Sequence, residues 1–148
     1  MAYKITEIEG IGPKYGETLG KAGINTTDDL LDKCADKKGR KATAGDTGLT
    51  ESQLLKWANM ADLMRISGVG EEYSELLEAA GVDTVKELKM RRADNLAAKM
   101  KEVNEAKKLT RQTPSESQVE KWVEQARTLE PKISHQGFSH FPLTALLS

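Results

Sequence analysis

Two short glycine turns occur at a fixed separation in this chain. Gly10–Gly12 and Gly68–Gly70 each enclose one aliphatic residue, and they begin 58 residues apart, at positions 10 and 68. The residues after each turn also recur in order: a tyrosine, a leucine, an Ala-Gly pair, a threonine and a second leucine. Self-similarity at a fixed spacing is typical of a repeated structural unit. The sequence therefore predicts two copies of one unit in tandem.

The aliphatic residue inside each turn, Ile11 or Val69, is expected to fill the space between two flanking helices. The glycines on either side allow positive φ angles and a close approach of the backbone. Such a turn before an amphipathic helix resembles the helix-hairpin-helix motif. The resemblance implies an all-α fold, with tandem helix-hairpin-helix repeats packed as one compact helical domain.

Helix-start signals along the chain agree with an all-α class. Thr26, Thr50 and Thr84 are each followed three residues later by Asp, Gln or Glu, a pattern that indicates a capping box. Trp57 and Trp122 follow matching Glu-Ser-Gln segments. Because the two tryptophans occupy equivalent positions, they are interpreted as duplicate core anchors rather than as stacking platforms for bases.

The duplication also sets the expected boundaries. Repeat 1 covers residues 1–63 and repeat 2 covers residues 64–131, after which no third glycine turn follows. Residues 132–148 differ in kind, because they contain both histidines and both phenylalanines of the protein. We expect this tail to lie outside the repeat fold, disordered or foreign to the native chain, and we assign no metal site to its histidines.

The first turn is a candidate phosphate site. The amides of Gly10, Ile11 and Gly12 precede a helix start, where partial positive charge gathers, and Lys14 adds a cation shortly afterwards. Such contacts hold a nucleic-acid backbone without reading its sequence.

The second turn has a different charge. Gly68, Val69 and Gly70 are followed by Glu71 and Glu72, which satisfy the helix dipole from within and would repel a phosphate. The second turn is therefore interpreted as structural or as a contact for a protein.

The chain has one concentrated basic cluster. It consists of Lys37, Lys38, Arg40 and Lys41, and it is the second candidate region for nucleic-acid contact. The alternative is that these residues are the ordinary solvated start of a helix.

The overall charge sets a limit on the nucleic-acid hypothesis. Formal net charge is −1, and acidic and basic residues are nearly balanced in both repeats. Binding by a bulk positive field is excluded, so any binding must use a local patch. No catalytic, cofactor or metal-ligand constellation is recognisable, so we expect a non-catalytic module with no cofactor.

One cysteine, Cys34, bears on the cellular location. A single cysteine cannot form an intramolecular disulfide, and it is interpreted as a small packing residue. No signal peptide or membrane-spanning run is recognisable. We therefore expect a cytoplasmic protein with no membrane partner.

Several segments together resemble a known family over residues 3–130. The chain is similar to small bacterial proteins catalogued as a domain of unknown function and likened to the helix-three-turn-helix region of 5′ flap nucleases. The segments that carry the likeness are Ile8–Gly12, Trp57–Leu63, Gly68–Tyr73, Leu76–Thr84 and Ser117–Val119. The resemblance implies the fold but no settled activity.

Two functions remain open at this stage. The first is sequence-independent binding of a DNA or RNA backbone through Gly10–Lys14 and the basic cluster. The second is a protein-interaction or scaffolding module with no nucleic-acid role, in which the helical repeats offer a groove to a partner or to a second copy. The sequence favours the first slightly, because of the first turn, and leaves the oligomeric state open.

Overall fold

The computed structural model describes residues 2–134. In that range the protein is all-helical, as the sequence predicted, and its only β-type pairing is an isolated bridge between Lys4 and Thr26. A short 3-10 turn, Ile5–Glu7, precedes the α-helices. The α-helices are α1 (Pro13–Lys21), α2 (Thr27–Cys34), α3 (Lys37–Thr47), α4 (Glu51–Leu63), α5 (Glu71–Ala79), α6 (Val85–Leu88), α7 (Ala93–Lys107) and α8 (Glu116–Arg127).

The three predicted capping boxes are confirmed. The Thr26 hydroxyl accepts the Asp29 N–H at 3.1 Å, which starts α2. The Thr50 hydroxyl accepts the Gln53 N–H at 3.0 Å at the start of α4. At the start of α6, the third box is formed between Thr84 and Glu87. Local side-chain to backbone bonds therefore decide where these helices begin.

The basic cluster lies on a regular helix. α3 begins after Asp36, whose carboxylate accepts the Gly39 N–H at 2.7 Å, and ends at Gly48, which has a φ of 78°. Close to its start, α3 approaches the end of α2 so closely that a Cβ added to Gly39 would lie 2.0 Å from the Lys33 carbonyl oxygen. Only glycine fits at this corner.

Two hydrophobic clusters form the interior, one in each half of the chain. The first contains residues of the N-terminal segment, α1, the α1–α2 connection, α2 and α4, with Leu19, Ile24, Leu30, Leu54 and Met60 fully buried. The second contains residues of α5 to α8, with Leu76, Leu77, Leu88, Leu96 and Met100 fully buried. At the end of α4, Leu63 joins the second cluster and Met64 the first. The expected boundary between residues 63 and 64 stays a prediction, since the two clusters meet there.

The start of the expected tail belongs to the fold. Ile133 packs against the first cluster, and the Ser134 N–H donates to the Ala35 carbonyl at 2.8 Å. The prediction that residues 132–148 lie outside the folded part is therefore wrong for this stretch, because an aliphatic side chain and backbone hydrogen bonds attach it to the first half. Residues 135–148 lie outside the described range.

The tryptophans occupy matching places. Each stands beside the first glycine of a turn: a Cβ added to Gly10 would lie 3.3 Å from Nε1 of Trp57, and one added to Gly68 would lie 3.3 Å from Nε1 of Trp122. Each also contacts a tyrosine, with ring centroids 5.3 Å apart for Tyr15 and Trp57. The pair in the second half has a separation of 5.2 Å and the same interplanar angle of 56°. Each indole therefore packs against the first glycine of its turn.

Asp62, near the end of α4, connects the two halves. Its side chain is fully buried. The carboxylate accepts one hydrogen bond from the Arg65 guanidinium at 2.7 Å and another from the Val85 N–H at 2.8 Å. The second bond satisfies a backbone donor at the N-terminus of α6, which has no intrahelical partner. A buried carboxylate with both a cation and a backbone donor is fully compensated.

Candidate functional site

The first glycine turn is a tight connection leading into α1. Gly10 has a φ of 95°, and the Ile11 N–H donates to the Ile8 carbonyl at 3.0 Å. Ile11 is buried, as expected for the residue that fills the turn. Gly12 is the N-cap of α1 and Pro13 takes the first helical position, where its missing N–H costs nothing.

The N-terminus of α1 is open to solvent. Gly12, Pro13, Lys14 and Tyr15 are all exposed, and no side chain caps the helix. A Cβ added to Gly12 would meet no atom within 4 Å. The N–H groups at the first turn of a helix have no intrahelical acceptor, so this end presents backbone donors, beside the Lys14 ammonium, to an approaching anion.

The second turn repeats the backbone geometry. Gly68 has a φ of 92°, the Val69 N–H donates to the Ile66 carbonyl at 3.0 Å, and the Ser74 N–H donates to the Gly70 carbonyl at 2.9 Å. The equivalent bond in the first half joins Gly16 to Gly12 at 2.8 Å.

The second turn nevertheless has partners within the protein. The Ser67 N–H donates to the Gln125 side-chain oxygen at 2.6 Å, and the Val69 carbonyl accepts the Tyr3 hydroxyl at 3.4 Å. In the first half, the residue at the place of Gln125 relative to the tryptophan is Met60, which has no side-chain oxygen. The two turns thus have the same backbone geometry, but their polar groups contact different partners.

Carboxyl groups from the two turns lie close to each other. The Glu71 side chain at the start of α5 is hydrogen-bonded to that of Glu9, which raises the pKa of Glu71. Burial and the nearby Glu9 charge also raise the pKa of Glu75. This pairing was not predicted from the sequence. It places negative charge on the α5 side of the first turn, where an anion would be repelled. An anion therefore approaches more favourably from the side of Gly12 and Lys14.

The basic cluster is smaller than the sequence suggested. Lys37, Lys38 and Lys41 are exposed, and the Lys37 ammonium lies 3.7 Å from a carboxylate oxygen of Glu51. Among the described residues, Lys38 and Lys41 form no ion pair, so they are the cluster's lysines that are not already paired with a carboxylate.

The prediction that Arg40 contacts a phosphate is contradicted by its position. Arg40 is only 3% exposed. Its Nη1 donates to the carbonyls of Cys34 and Ala35, both at 3.0 Å, and its Nη2 donates to the Ser134 carbonyl at 2.6 Å. Burial lowers the pKa of Arg40. The guanidinium satisfies two carbonyls at the end of α2 and the carbonyl of Ser134, so it is not presented to a phosphate at the surface.

The two candidate regions contact the same part of α4. The Gln53 side-chain amide donates to the Tyr15 hydroxyl at 3.3 Å. Tyr15 directly follows Lys14 in α1. Glu51 is the residue that pairs with Lys37 at the start of α3. The starts of α1 and α3 are thus both adjacent to the first turn of α4.

Between residues 2 and 134, no three His, Cys, Asp or Glu side chains are grouped so that they could hold a metal ion. No helix there has the length and apolar character needed to cross a membrane. Cys34 is fully buried in α2, as expected for a packing residue, and burial raises the pKa of its thiol.

The described residues define a class of protein. It is all-helical, with two hydrophobic clusters and a matched pair of glycine turns. Residues 9–129 match the family described as a domain of unknown function, DUF4332, and the chain belongs to that family. A search of curated proteins finds no match, and neither does a search of solved structures.

Proposed function

We propose that the protein is a non-catalytic module that binds a nucleic-acid backbone without reading its sequence. The proposed contacts are the amides of Gly10 and Gly12, the Lys14 ammonium, and Lys38 and Lys41 on α3, without the Ile11 amide, which donates to the Ile8 carbonyl. In this proposal the two halves are tandem helix-hairpin-helix units, and the protein is bacterial and cytoplasmic. The recurrence of the turn, tyrosine and tryptophan geometry in both halves supports that architecture.

The observation that carries the proposal is the asymmetry between the turns. The first opens onto an exposed helix start with no side-chain cap and a lysine next to it. The second is bonded to Gln125 and Tyr3 and is followed by two glutamates. A phosphate gains amide donors and a cation at the first turn, and meets carboxylates at the second.

The test is a titration of labelled duplex, single-stranded and flap DNA with the full chain at several salt concentrations. Three lysine–phosphate contacts predict a slope of about −3 for the logarithm of the association constant against the logarithm of salt concentration. Replacing Lys14→Glu should weaken binding to every DNA and make the slope shallower by about 1, because one phosphate contact is lost.

Lys86→Glu is the matched control. Lys86 is an exposed lysine on α6 in the second half, and its replacement changes the net charge by the same amount. Unchanged binding in Lys86→Glu, beside weakened binding in Lys14→Glu, would localise the contact to the first turn. Equal losses in both variants would show a diffuse charge effect and refute the proposed site.

A second candidate is a protein-interaction module, favoured by the acidic side of the second turn. Glu71 and Glu72 are exposed at the start of α5 and suit a basic protein surface rather than a phosphate. This function predicts no salt-sensitive retention of DNA at low salt, and a loss of partner binding in Glu72→Lys.

A further inference from the structure

The corner between α2 and α3 receives a segment from the other end of the described chain. The Ser134 N–H donates to the Ala35 carbonyl at 2.8 Å, and the Ser134 carbonyl accepts Nη2 of Arg40 at 2.6 Å. Both backbone groups of one residue are therefore engaged by the corner. One of these bonds joins two main chains and the other comes from a side chain, and together they hold the segment by its main chain, which is one way in which a protein recognises a peptide.

The preceding residue adds an apolar contact. Ile133 is half-buried against the first hydrophobic cluster, while Lys132 is exposed. The corner thus contacts its occupant in two ways: through an aliphatic side chain on one residue and through backbone hydrogen bonds on the next. The occupant needs an aliphatic residue followed by a residue whose N–H is available.

Arg40 makes the corner a preformed site. Its Nη1 is held by two carbonyls at the end of α2, which fixes the guanidinium with Nη2 directed at the bound segment. Gly39, one residue earlier, has the close contact with Lys33 that positions α3 against α2. These contacts lie within residues 33–40, so the receiving side is organised by short-range interactions. The segment that it binds comes from beyond α8.

We propose that the α2–α3 corner is a binding site for a short peptide segment, and that residues 132–134 occupy it as a displaceable strap. A peptide with the same chemistry, supplied in trans, takes the place of the strap when the strap is weakened. The strap connects the end of the second half to the first half, so its release would separate the two halves at this point. This proposal is independent of nucleic-acid binding.

The experiment uses the full chain and a blocked peptide with the sequence of residues 130–134. Two variants weaken the strap: Ile133→Asp removes the apolar contact, and Ser134→Pro removes the N–H that Ala35 accepts. Backbone amide chemical shifts are followed during a titration to millimolar peptide. Shifts at the corner, in Ala35, Gly39 and Arg40, are expected in both variants. The wild type should respond about tenfold more weakly, because its own strap competes at a millimolar effective concentration.

Two controls define the specificity. Lys132→Ala changes an exposed strap residue and should respond as weakly as the wild type. A peptide with aspartate in place of the isoleucine should leave all spectra unchanged.

Several results would overturn the proposal. These are no response in either strap variant, equal responses of wild type and variants, or shifts that do not concentrate at the corner. If Ile133→Asp fails to fold, Ser134→Pro decides the question, because it leaves the apolar contact in place. A variant that dimerises and then ignores the peptide would show that a second copy supplies the strap, and would refute displacement by a free peptide.

Discussion

Arg40 illustrates how burial changes the role of a charged residue. In the sequence it stands among three lysines, and the pattern indicates a phosphate-binding cluster. In the structure its guanidinium donates to three carbonyl oxygens and is almost inaccessible to solvent. Arginine is suited to this role, because its planar fork can satisfy several acceptors at once while remaining charged. Composition alone could not show that Arg40 differs in role from the neighbouring lysines. Two of its three carbonyl partners belong to Cys34 in α2 and to Ala35 at the C-cap of that helix, and the third lies 94 positions away.

Gly39 and Gly45 give a matched test of packing at the residue scale. Both lie in α3, but a Cβ at Gly39 would collide with the Lys33 carbonyl, whereas one at Gly45 would meet no atom within 4 Å. We expect Gly39→Ala to lower the free energy of unfolding by about 1–3 kcal/mol through overpacking. Gly45→Ala should raise it by up to about 1 kcal/mol, because alanine favours the helix. Urea denaturation measures both, and equal effects of the two replacements would contradict the close contact.

At the scale of single elements, helix ends were the most predictable feature. The capping boxes at Thr26, Thr50 and Thr84 are formed by residues three apart, so the sequence contains all the information needed to find them. The two turns were predicted for the same reason, with Ile11 buried as expected. The bonds that distinguish the turns were not predicted. They join Ser67 to Gln125 and Tyr3 to Val69, and such pairs depend on how helices meet rather than on local pattern.

Asp62 provides a test of how α4 is attached to α6. Replacing Asp62→Ala leaves the half-buried Arg65 without its carboxylate and the Val85 N–H without its acceptor. We expect the free energy of unfolding to fall by about 3–5 kcal/mol, the usual effect of breaking a buried charged pair. Thermal and urea unfolding are the measurements.

Asp46→Ala is the control for Asp62. Asp46 is exposed on α3, and its replacement should change the free energy of unfolding by no more than about 0.5 kcal/mol. A similarly small effect at Asp62 would show that its two bonds contribute little to the attachment.

At the scale of the whole molecule, long-range contacts join what the sequence presents as separate repeats. Tyr3 reaches the second turn, the Glu9 carboxyl lies close enough to Glu71 to raise its pKa, and Ser134 returns to the first half. None of these contacts follows from the duplication, because each joins positions that are not equivalent in the two copies. The all-α class was therefore predictable from periodicity and caps, whereas the surroundings of the candidate site were not.

The Glu9–Glu71 pair predicts how stability depends on pH. The hydrogen bond to Glu9 raises the pKa of Glu71 in the folded state above its ordinary value of 4.5. The folded state then binds more protons than the unfolded state, so the pair's contribution is full below pH 4.5 and is lost as the pH rises through the folded pKa. We expect Glu71→Gln to be more stable than the wild type at pH 7, with a flatter profile from pH 4.5 upward in urea denaturation.

Glu124→Gln is the control for this profile. Glu124 is exposed on α8, and its replacement removes one negative charge from the other end of the second half. Measurements stay above pH 4.5 because Asp29 and Asp94 have pKa values lowered by hydrogen bonds, and their contributions are lost at more acidic pH. If Glu124→Gln flattens the profile as much as Glu71→Gln does, net charge rather than the carboxyl pair sets the dependence.

The placement of the two tryptophans has a consequence for spectroscopy. The protein contains only two, and each is buried in a different hydrophobic cluster beside a tyrosine and a glycine turn. The indole emission therefore comes from two chromophores in closely similar surroundings, one in each half. A chain that retains only Trp57 would emit from the first cluster, and one that retains only Trp122 would emit from the second. The duplicated anchors thus supply the molecule with a separate built-in fluorophore for the melting of each half.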